Sequence, residues 1–243
     1  MVDGARLGPP PDLPSLLLNN RIVYLGMPIN AAVTELIISE LLFLQYDSAS
    51  KPILMYINSP GTTLEDGTPV GYETEAFAIA DTMVRRASPP PPLARPSPNS
   101  LTRSEPDTAQ DYVQSPIHTT LVGKAYGLAA MLLASGTKGK RAALPYGTVM
   151  LHQPRGMQAQ GQASDIALTA SEVLSNRRVG LEITSRATGV PIDVLARDTE
   201  RSLYMDAAQA LEYGIVDKII DKVPKKDGFN VEGTLAAVAR GLG

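Results

Sequence analysis

"GKAYGLAAMLLASGTKGKR", residues 123–141, decides how the rest of the chain is read. Gly123 and Gly127 stand where a strand has to bend, and the apolar run behind them reads as a buried helix. The layout matches the strand–turn–helix on which serine hydrolases raise a nucleophile. Yet Gly127, at the crest of the turn, has no side chain to react.

Working outward, the flanking sequence has an α/β rhythm. "RIVYLGMPI" (21–29) and "KPILMYINS" (51–59) are β-branched and aromatic runs stopped by Gly or Pro, and read as strands. Between them "NAAVTELIISELLFLQY" (30–46) places Val33, Leu36, Ile37, Leu41, Leu42 and Leu44 on a core-facing helix stripe, with Asn30 as N-cap. Strand, helix and strand make a parallel βαβ unit. "YETEAFAIADTMVRR" (72–86) reads as a second helix, and "HTTLVGKA" and "RAALPYGTVMLHQP" as further strands around a buried helix at 127–135. A long helix follows from about Ser164 to Ala187, stopped by Gly189 and Pro191. Ile166, Ala170, Val173, Leu174 and Leu181 form its stripe, while Glu172, Asn176, Arg177 and Arg178 face elsewhere. From its pattern alone it reads as a surface helix lying on its own core, ahead of a second reading in which it projects from the body and packs against a partner. "DAAQALEYGIVDKII" (206–220) closes the chain as a short helix, a stop at Gly214 and a strand.

Residues 85–116, "RRASPPPPLARPSPNSLTRSEPDTAQDYVQSP", break the rhythm. They are rich in Pro, Ser and Arg, carry four consecutive prolines and show no periodicity. Such a composition buries too little apolar surface to offset its ordering entropy, so the stretch is expected to be a disordered insertion. A passive loop, a retained noncoding stretch and a partner-binding polyproline segment are its three readings, the first two ahead of the third. The chain is expected to be a single domain over residues 1–243, with its core at about 12–220 and a tail at 221–243.

Bulk properties exclude several classes. The chain has 243 residues, 44% apolar and 19% charged, which suits one soluble domain. A net charge of -3 offers no basic field for nucleic acid. The absence of cysteine removes disulfides, thiolate catalysis and cysteine metal sites, and His118 and His152 alone cannot build a histidine-rich metal centre. No cofactor is expected. No apolar run reaches the length of a membrane span, and residues 1–18 read as neither secretory signal nor transit peptide, so any targeting segment is expected to have been trimmed.

Five ordered blocks resemble the ClpP family of self-compartmentalising serine peptidases. They are "DLPSLLLNNRIVYLGMPIN", "KPILMYINSPG", "GKAYGLAAMLLASGTKGKRAALP", "VMLHQP" with "QGQASDI", and "DTERSLYMDAAQALEYGIVDKI". The resemblance implies a ClpP/crotonase-like α/β fold with repeated β-β-α units and a projecting handle helix. It also implies heptameric rings stacked in pairs, with the helix at 164–187 interlocking opposite rings. That reverses the reading of this helix from surface to interface.

A serine peptidase needs a hydroxyl nucleophile, an imidazole base and a carboxylate that holds the imidazole's tautomer. The family's Gly-Gln-Ala-x-Ser-Met-Gly block falls on Gly123–Ala129, which puts Gly127 at the serine position and Leu128 after it. The Met-Ile-His-Gln-Pro block falls on Met150–Pro154 and retains His152. The acid that follows Asp-Thr-Glu-Arg is here Ser202, a hydroxyl with no charge. The Ser-Pro-Gly-Gly block of the oxyanion loop reads Ser59-Pro60-Gly61-Thr62, and a β-branched Thr replaces a glycine. With two triad positions lost and the loop of Gly61, Thr62 and Leu128 altered, the chain is not expected to cut peptide bonds. His152 then takes a structural role, either satisfied by a backbone carbonyl or contacting a neighbouring subunit. Neither Ser59 nor Ser135 stands at the crest, and Lys124 reads as a solvated or salt-bridged lysine rather than a base.

The resemblance is nearest to ClpR, the family's members with a degenerate triad, of cyanobacterial and plastid type. It carries "PPDLPSLLL", "INSPGTT", "GYETEAFAIADTM" and "DTERSLYM". It implies a structural subunit in a hetero-oligomeric ring beside active ClpP and other ClpR subunits, fed by an ATP-dependent Clp/Hsp100 unfoldase. The compartment would be the chloroplast stroma, or a cyanobacterial cytoplasm. Three other classes stand beside this: an active serine endopeptidase with a non-standard nucleophile, an acyl-CoA enzyme of the crotonase-like fold, and a free-standing adaptor.

Overall fold

A computed structural model describes residues 12–64, 68–83, 113–153 and 161–221. The expected insertion lies outside the described residues up to position 112, as does the expected tail beyond Asp221.

The opening unit forms as the sequence predicts. β1 (Ile22–Leu25) leads through α2 (Ala31–Asp47) to β2 (Ile53–Ser59), and the two strands pair in parallel with Val23 opposite Met55. The Asn30 side chain caps α2 by accepting the Val33 N–H at 3.0 Å. On α2 the buried line is Val33, Ile37, Leu41 and Leu44, with Thr34 beside it. Leu36 and Leu42, expected on that face, are 48% and 43% exposed. A helix lying on a sheet buries one strip about a turn-row wide, and positions 36 and 42 fall on its flanks.

Two short helices escape the sequence reading: α1 (Leu13–Asn19) and, after Pro191, α6 (Ile192–Asp198). Each runs seven residues, too few to display a helical period. α3 (Glu73–Met83) turns Ala76, Phe77, Ile79, Ala80 and Met83 inward.

The described fold resumes at Val113, four residues earlier than expected. Val113 is fully buried, and the Gln45 Oε1 accepts the amide N–H groups of Gln114 and Ser115, each at 3.0 Å. Arg21 reaches the same point, donating to the Ser115 hydroxyl at 3.3 Å and to Asp47 at 2.8 Å. Residues 113–116 therefore belong to the core rather than to the insertion. Polar contacts across some 70 positions hold them there, and a composition argument cannot see those.

β3 (Ile117–Tyr126) is the central strand. It pairs in parallel with β2 on one side, and with β4 (Ala142–Ala143) and β5 (Thr148–Leu151) on the other. β7 (Lys218–Ile219) extends the parallel sheet from β4, whereas β6 (Leu203–Asp206) runs antiparallel to β5. Directly after β3 comes α4 (Leu128–Ala134), in which every residue from Ala129 to Ala134 is buried. Each leucine buried this way contributes about 1.5–3 kcal/mol. α7 (Ala207–Glu212) starts in a capping box between Asp206 and Gln209.

α5 (Ala163–Thr188) is the long helix, and Thr184 is its one buried residue. Leu168 and Leu174 are 69% and 62% exposed, and Ile166 is also exposed. The first half of the apolar stripe thus does not lie on the chain's own core, whereas Leu181, with Ile183 and Ala187, packs against it, which fits a helix whose N-terminal half projects from the body.

Arg141 fixes the ends of both helices. Its buried guanidinium pairs with Asp217 at 2.6 and 2.9 Å, and donates to the carbonyls of Ala134 in α4 and Ala187 in α5 at 3.1 and 3.0 Å. Asp217 also accepts the Gly139 N–H at 2.7 Å, closing the turn at Gly139–Arg141. The Arg141 hydrogen bonds hold the Asp217 carboxyl below its usual range.

Candidate functional site

The crest of the elbow is Gly127, reached from β3 and leading straight into α4. Its φ of 56° and ψ of -118° lie where a side chain is strained and glycine is not. The main chain is locked in this shape: the Gly127 N–H donates to the Met150 carbonyl at 2.7 Å, and its own carbonyl accepts from Ala130 and Met131.

His152 sits immediately over this point, at the end of β5. A Cβ placed on Gly127 would lie 2.5 Å from the His152 Nε2 and 3.1 Å from its Cε1. Non-bonded heavy atoms do not approach that closely, so the imidazole occupies space that a nucleophile's side chain would need. The other ring nitrogen, Nδ1, lies 2.6 Å from the Gln153 carbonyl oxygen. A carbonyl can only accept, so Nδ1 carries the proton and donates. A backbone carbonyl thus orients the ring where a triad has a carboxylate. Ser202 lies one residue outside the Leu151–Leu203 pair of β5 and β6, so topology keeps it close to His152. It is exposed, and its hydroxyl carries no charge with which to stabilise an imidazolium.

The loop of Gly61 and Thr62 packs against the same crest. Gly61 has φ of 82°, and a Cβ there would lie 2.5 Å from the Tyr126 carbonyl oxygen and 3.4 Å from the Leu128 nitrogen. Only glycine allows that approach. The Gly61 N–H is already engaged, donating to the Ser59 hydroxyl at 3.1 Å. Thr62 is buried, and its carbonyl accepts the N–H groups of Val70 and Gly71.

The other hydroxyls considered as nucleophiles are tied up. Ser59 is fully buried and donates to the Met27 carbonyl at 2.7 Å, and Ser135 donates to Met131 at 2.8 Å at the far end of α4. His118 lies near the opposite end of β3, where burial and then Lys140 and Lys218 lower its pKa. Among the described residues no group of His, Cys, Asp and Glu could hold a metal, and no helix is long and apolar enough to cross a membrane.

Two clefts flank the elbow. The larger, about 90 Å³, lies between Thr62, Pro69 and the start of α3 on one side and α5 on the other, with His152 and Leu128 in its wall. The smaller, about 40 Å³, brings Gly127 together with Arg177 and Thr199. Thr169, Glu172, Val173 and Asn176 of α5 line the larger one. The sequence reading set Glu172, Asn176 and Arg177 off the apolar stripe and gave them no role at the site. Positions 169, 172 and 176 recur at three- and four-residue steps, a polar strip that runs beside Val173 of the hydrophobic stripe and is obscured by it.

Comparison with known proteins agrees with this architecture. The Clp protease family profile matches residues 11–88 and 107–223, so the break in the match falls inside the proline-rich stretch. A Clp protease proteolytic subunit-like protein of Synechococcus elongatus is 49% identical over 223 residues, covering 88% of this chain and 86% of the relative. The chloroplastic Clp protease proteolytic subunit-related protein 3 of Arabidopsis thaliana is 41% identical, over 87% of this chain and 56% of the relative. Clp protease proteolytic subunit 2 of Gloeobacter violaceus is 42% identical, over 90% and 84%. The chain belongs to the Clp protease family, and its mixed α/β sheet with flanking helices is the fold of that family.

Proposed function

We propose that this chain is a non-catalytic, structural subunit of a hetero-oligomeric Clp protease core. The observation that carries the reading is the crest of the elbow: Gly127 offers no nucleophile, and the His152 imidazole fills its side-chain space with Nε2 2.5 Å from where a Cβ would stand. Ser202 in place of an acid and the engaged Gly61 N–H remove two further parts of a triad and its oxyanion hole. The loss is local, since the sheet, α4 and the Arg141 staple around the site are complete. A body kept intact around an empty centre favours a role in assembly.

In this role the chain takes positions in stacked heptameric rings beside active ClpP and other ClpR subunits, and α5 offers its exposed leucines to the opposing ring. An ATP-dependent Clp/Hsp100 unfoldase delivers the substrates. The chloroplastic and cyanobacterial relatives support a chloroplast stroma, with a cyanobacterial cytoplasm as the other compartment. The engaged hydroxyls of Ser59 and Ser135 weigh against a peptidase with a substitute nucleophile.

Labelling with a serine-reactive fluorophosphonate tests the reading. The purified chain should remain unlabelled, and so should Gly127→Ser alone, because Ser202 cannot orient His152. Gly127→Ser combined with Ser202→Asp should gain some labelling. Robust labelling or peptide hydrolysis by the unaltered chain would overturn the proposal. Native mass spectrometry of the purified complex should find the chain in a ring with other Clp subunits.

A further inference from the structure

The parallel sheet carries a group of cations that the elbow does not use. Alternate residues of a strand face opposite ways, and on β3 Ile117, Thr119 and Leu121 are buried on the core side. His118 and Thr120 therefore stand on the other face, and both are half-buried. Thr120 is level with Ala142 of β4, and Ala142 is level with Lys218 of β7. Lys140 stands two residues before Ala142, while Arg141 between them turns into the core. The topology thus gathers His118, Lys140 and Lys218 on one sheet face from distant parts of the chain. Both lysines are exposed, and among the described residues neither enters an ion pair. Asp217, next to Lys218, is held by Arg141. Burial first, and then Lys140 and Lys218, lower the His118 pKa, so the three groups sense one another. The imidazole is then neutral near pH 7 and keeps one N–H to donate.

Two ammonium groups gathered without a counter-charge repel, and an anion placed between them turns that cost into attraction. The donors are the two ammonium groups, an imidazole N–H and the Thr120 hydroxyl, spread over strands that lie about 4.8 Å apart. Together they make a flat row, without the guanidinium fork or the concavity of backbone N–H groups that suits a phosphate. A row about 10 Å wide matches two carboxylates on alternate residues of an extended chain, which lie about 7 Å apart. We propose that this sheet face docks an extended acidic segment of a partner protein, whose carboxylates meet Lys140, Lys218, His118 and Thr120. The surface lies at the other end of β3 from the elbow, so the docking does not depend on whether the elbow is catalytic.

Fluorescence anisotropy with three acetylated, dye-labelled heptapeptides, titrated with the full-length chain at low salt, tests the proposal. The first alternates Glu with Ser, the second has Gln in place of each Glu, and the third has Lys there. The Glu peptide should bind at least about tenfold more tightly than the Gln peptide, and the Lys peptide should not bind. Lys140→Gln combined with Lys218→Gln should bring the Glu peptide down to the level of the Gln peptide. Arg178→Gln, at an exposed position on α5, should leave its binding unchanged. Both variants change exposed side chains and should unfold at the same urea concentration as the unaltered chain, so a lost signal reports the surface. Equal binding of the Glu and Gln peptides, or unchanged binding in the double lysine variant, would overturn the proposal. An equal loss in Arg178→Gln would reduce the effect to general attraction and overturn it as well. Inorganic phosphate that binds and is lost in the double lysine variant, with no binding of the Glu peptide, would make the patch an ion site and sink the acidic segment.

Discussion

α4 and α5 both border the elbow and end on the same guanidinium, yet they are built on opposite terms. α4 is seven residues long and buried from Ala129 to Ala134, so its stability comes from the core around it. α5 is 26 residues long and buries only Thr184, leaving Ile166, Leu168 and Leu174 in solvent. Its C-terminal half rests on the core through Leu181, Ile183 and Ala187, but the exposed leucines of its first half gain little from their own fold and have much to gain from a partner. The contrast divides the described residues into a part that builds the core and a part that leaves apolar surface uncovered.

The sharpest way to break that division is at Arg141, which ties both helices down. Arg141→Met strands the Asp217 carboxylate and the carbonyls of Ala134 and Ala187, and should cost about 3–5 kcal/mol in urea or thermal unfolding. The pair also has a pH signature. Because Asp217 has its pKa lowered in the folded chain, its contribution is present above the ordinary carboxylate range. That contribution is lost as pH falls from about 4 through the lower folded value, and the acid limb of the unfolding profile should be flatter in Arg141→Met. Within α4, Leu132→Ala opens a cavity in a fully buried row, with an expected loss of about 2–5 kcal/mol by the same measurement. At the head of α4, Gly127→Ser forces a side chain into a strained φ and against His152, for a cost of about 1–3 kcal/mol. The smallest change belongs to α5: Leu168→Ser with Leu174→Ser should alter the unfolding of the isolated chain by no more than about 0.5 kcal/mol. The same double variant should lose ring-to-ring pairing in native mass spectrometry. A large loss of stability with pairing intact would erase the contrast.

The sequence makes most of the scaffold legible, because the scaffold is built from local signals. Asn30 before an apolar period, Gly127 at the end of β3 and the all-apolar run of α4 each announce their own element. What escapes is what depends on distance. Leu36 and Leu42 look like core residues until the sheet's position shows them at the margin of the buried strip. Val113 to Pro116 look like the end of an insertion because Gln45 and Arg21, which hold them, lie far away in the chain. At the site, residue types alone show that position 127 has no hydroxyl and position 202 no carboxylate. They do not reveal that the His152 imidazole stands over Gly127 or that the Gln153 carbonyl orients it.

The φ of 56° at Gly127 has a consequence for the direction of change. The main chain still makes the sharp turn that a nucleophile would require, but glycine sits in it without strain and the imidazole has taken the vacated volume. Restoring a hydroxyl would bring back backbone strain and press a side chain against the imidazole. On the non-catalytic role proposed above, that single step is uphill with nothing gained until position 202 also changes, so the elbow behaves as a ratchet.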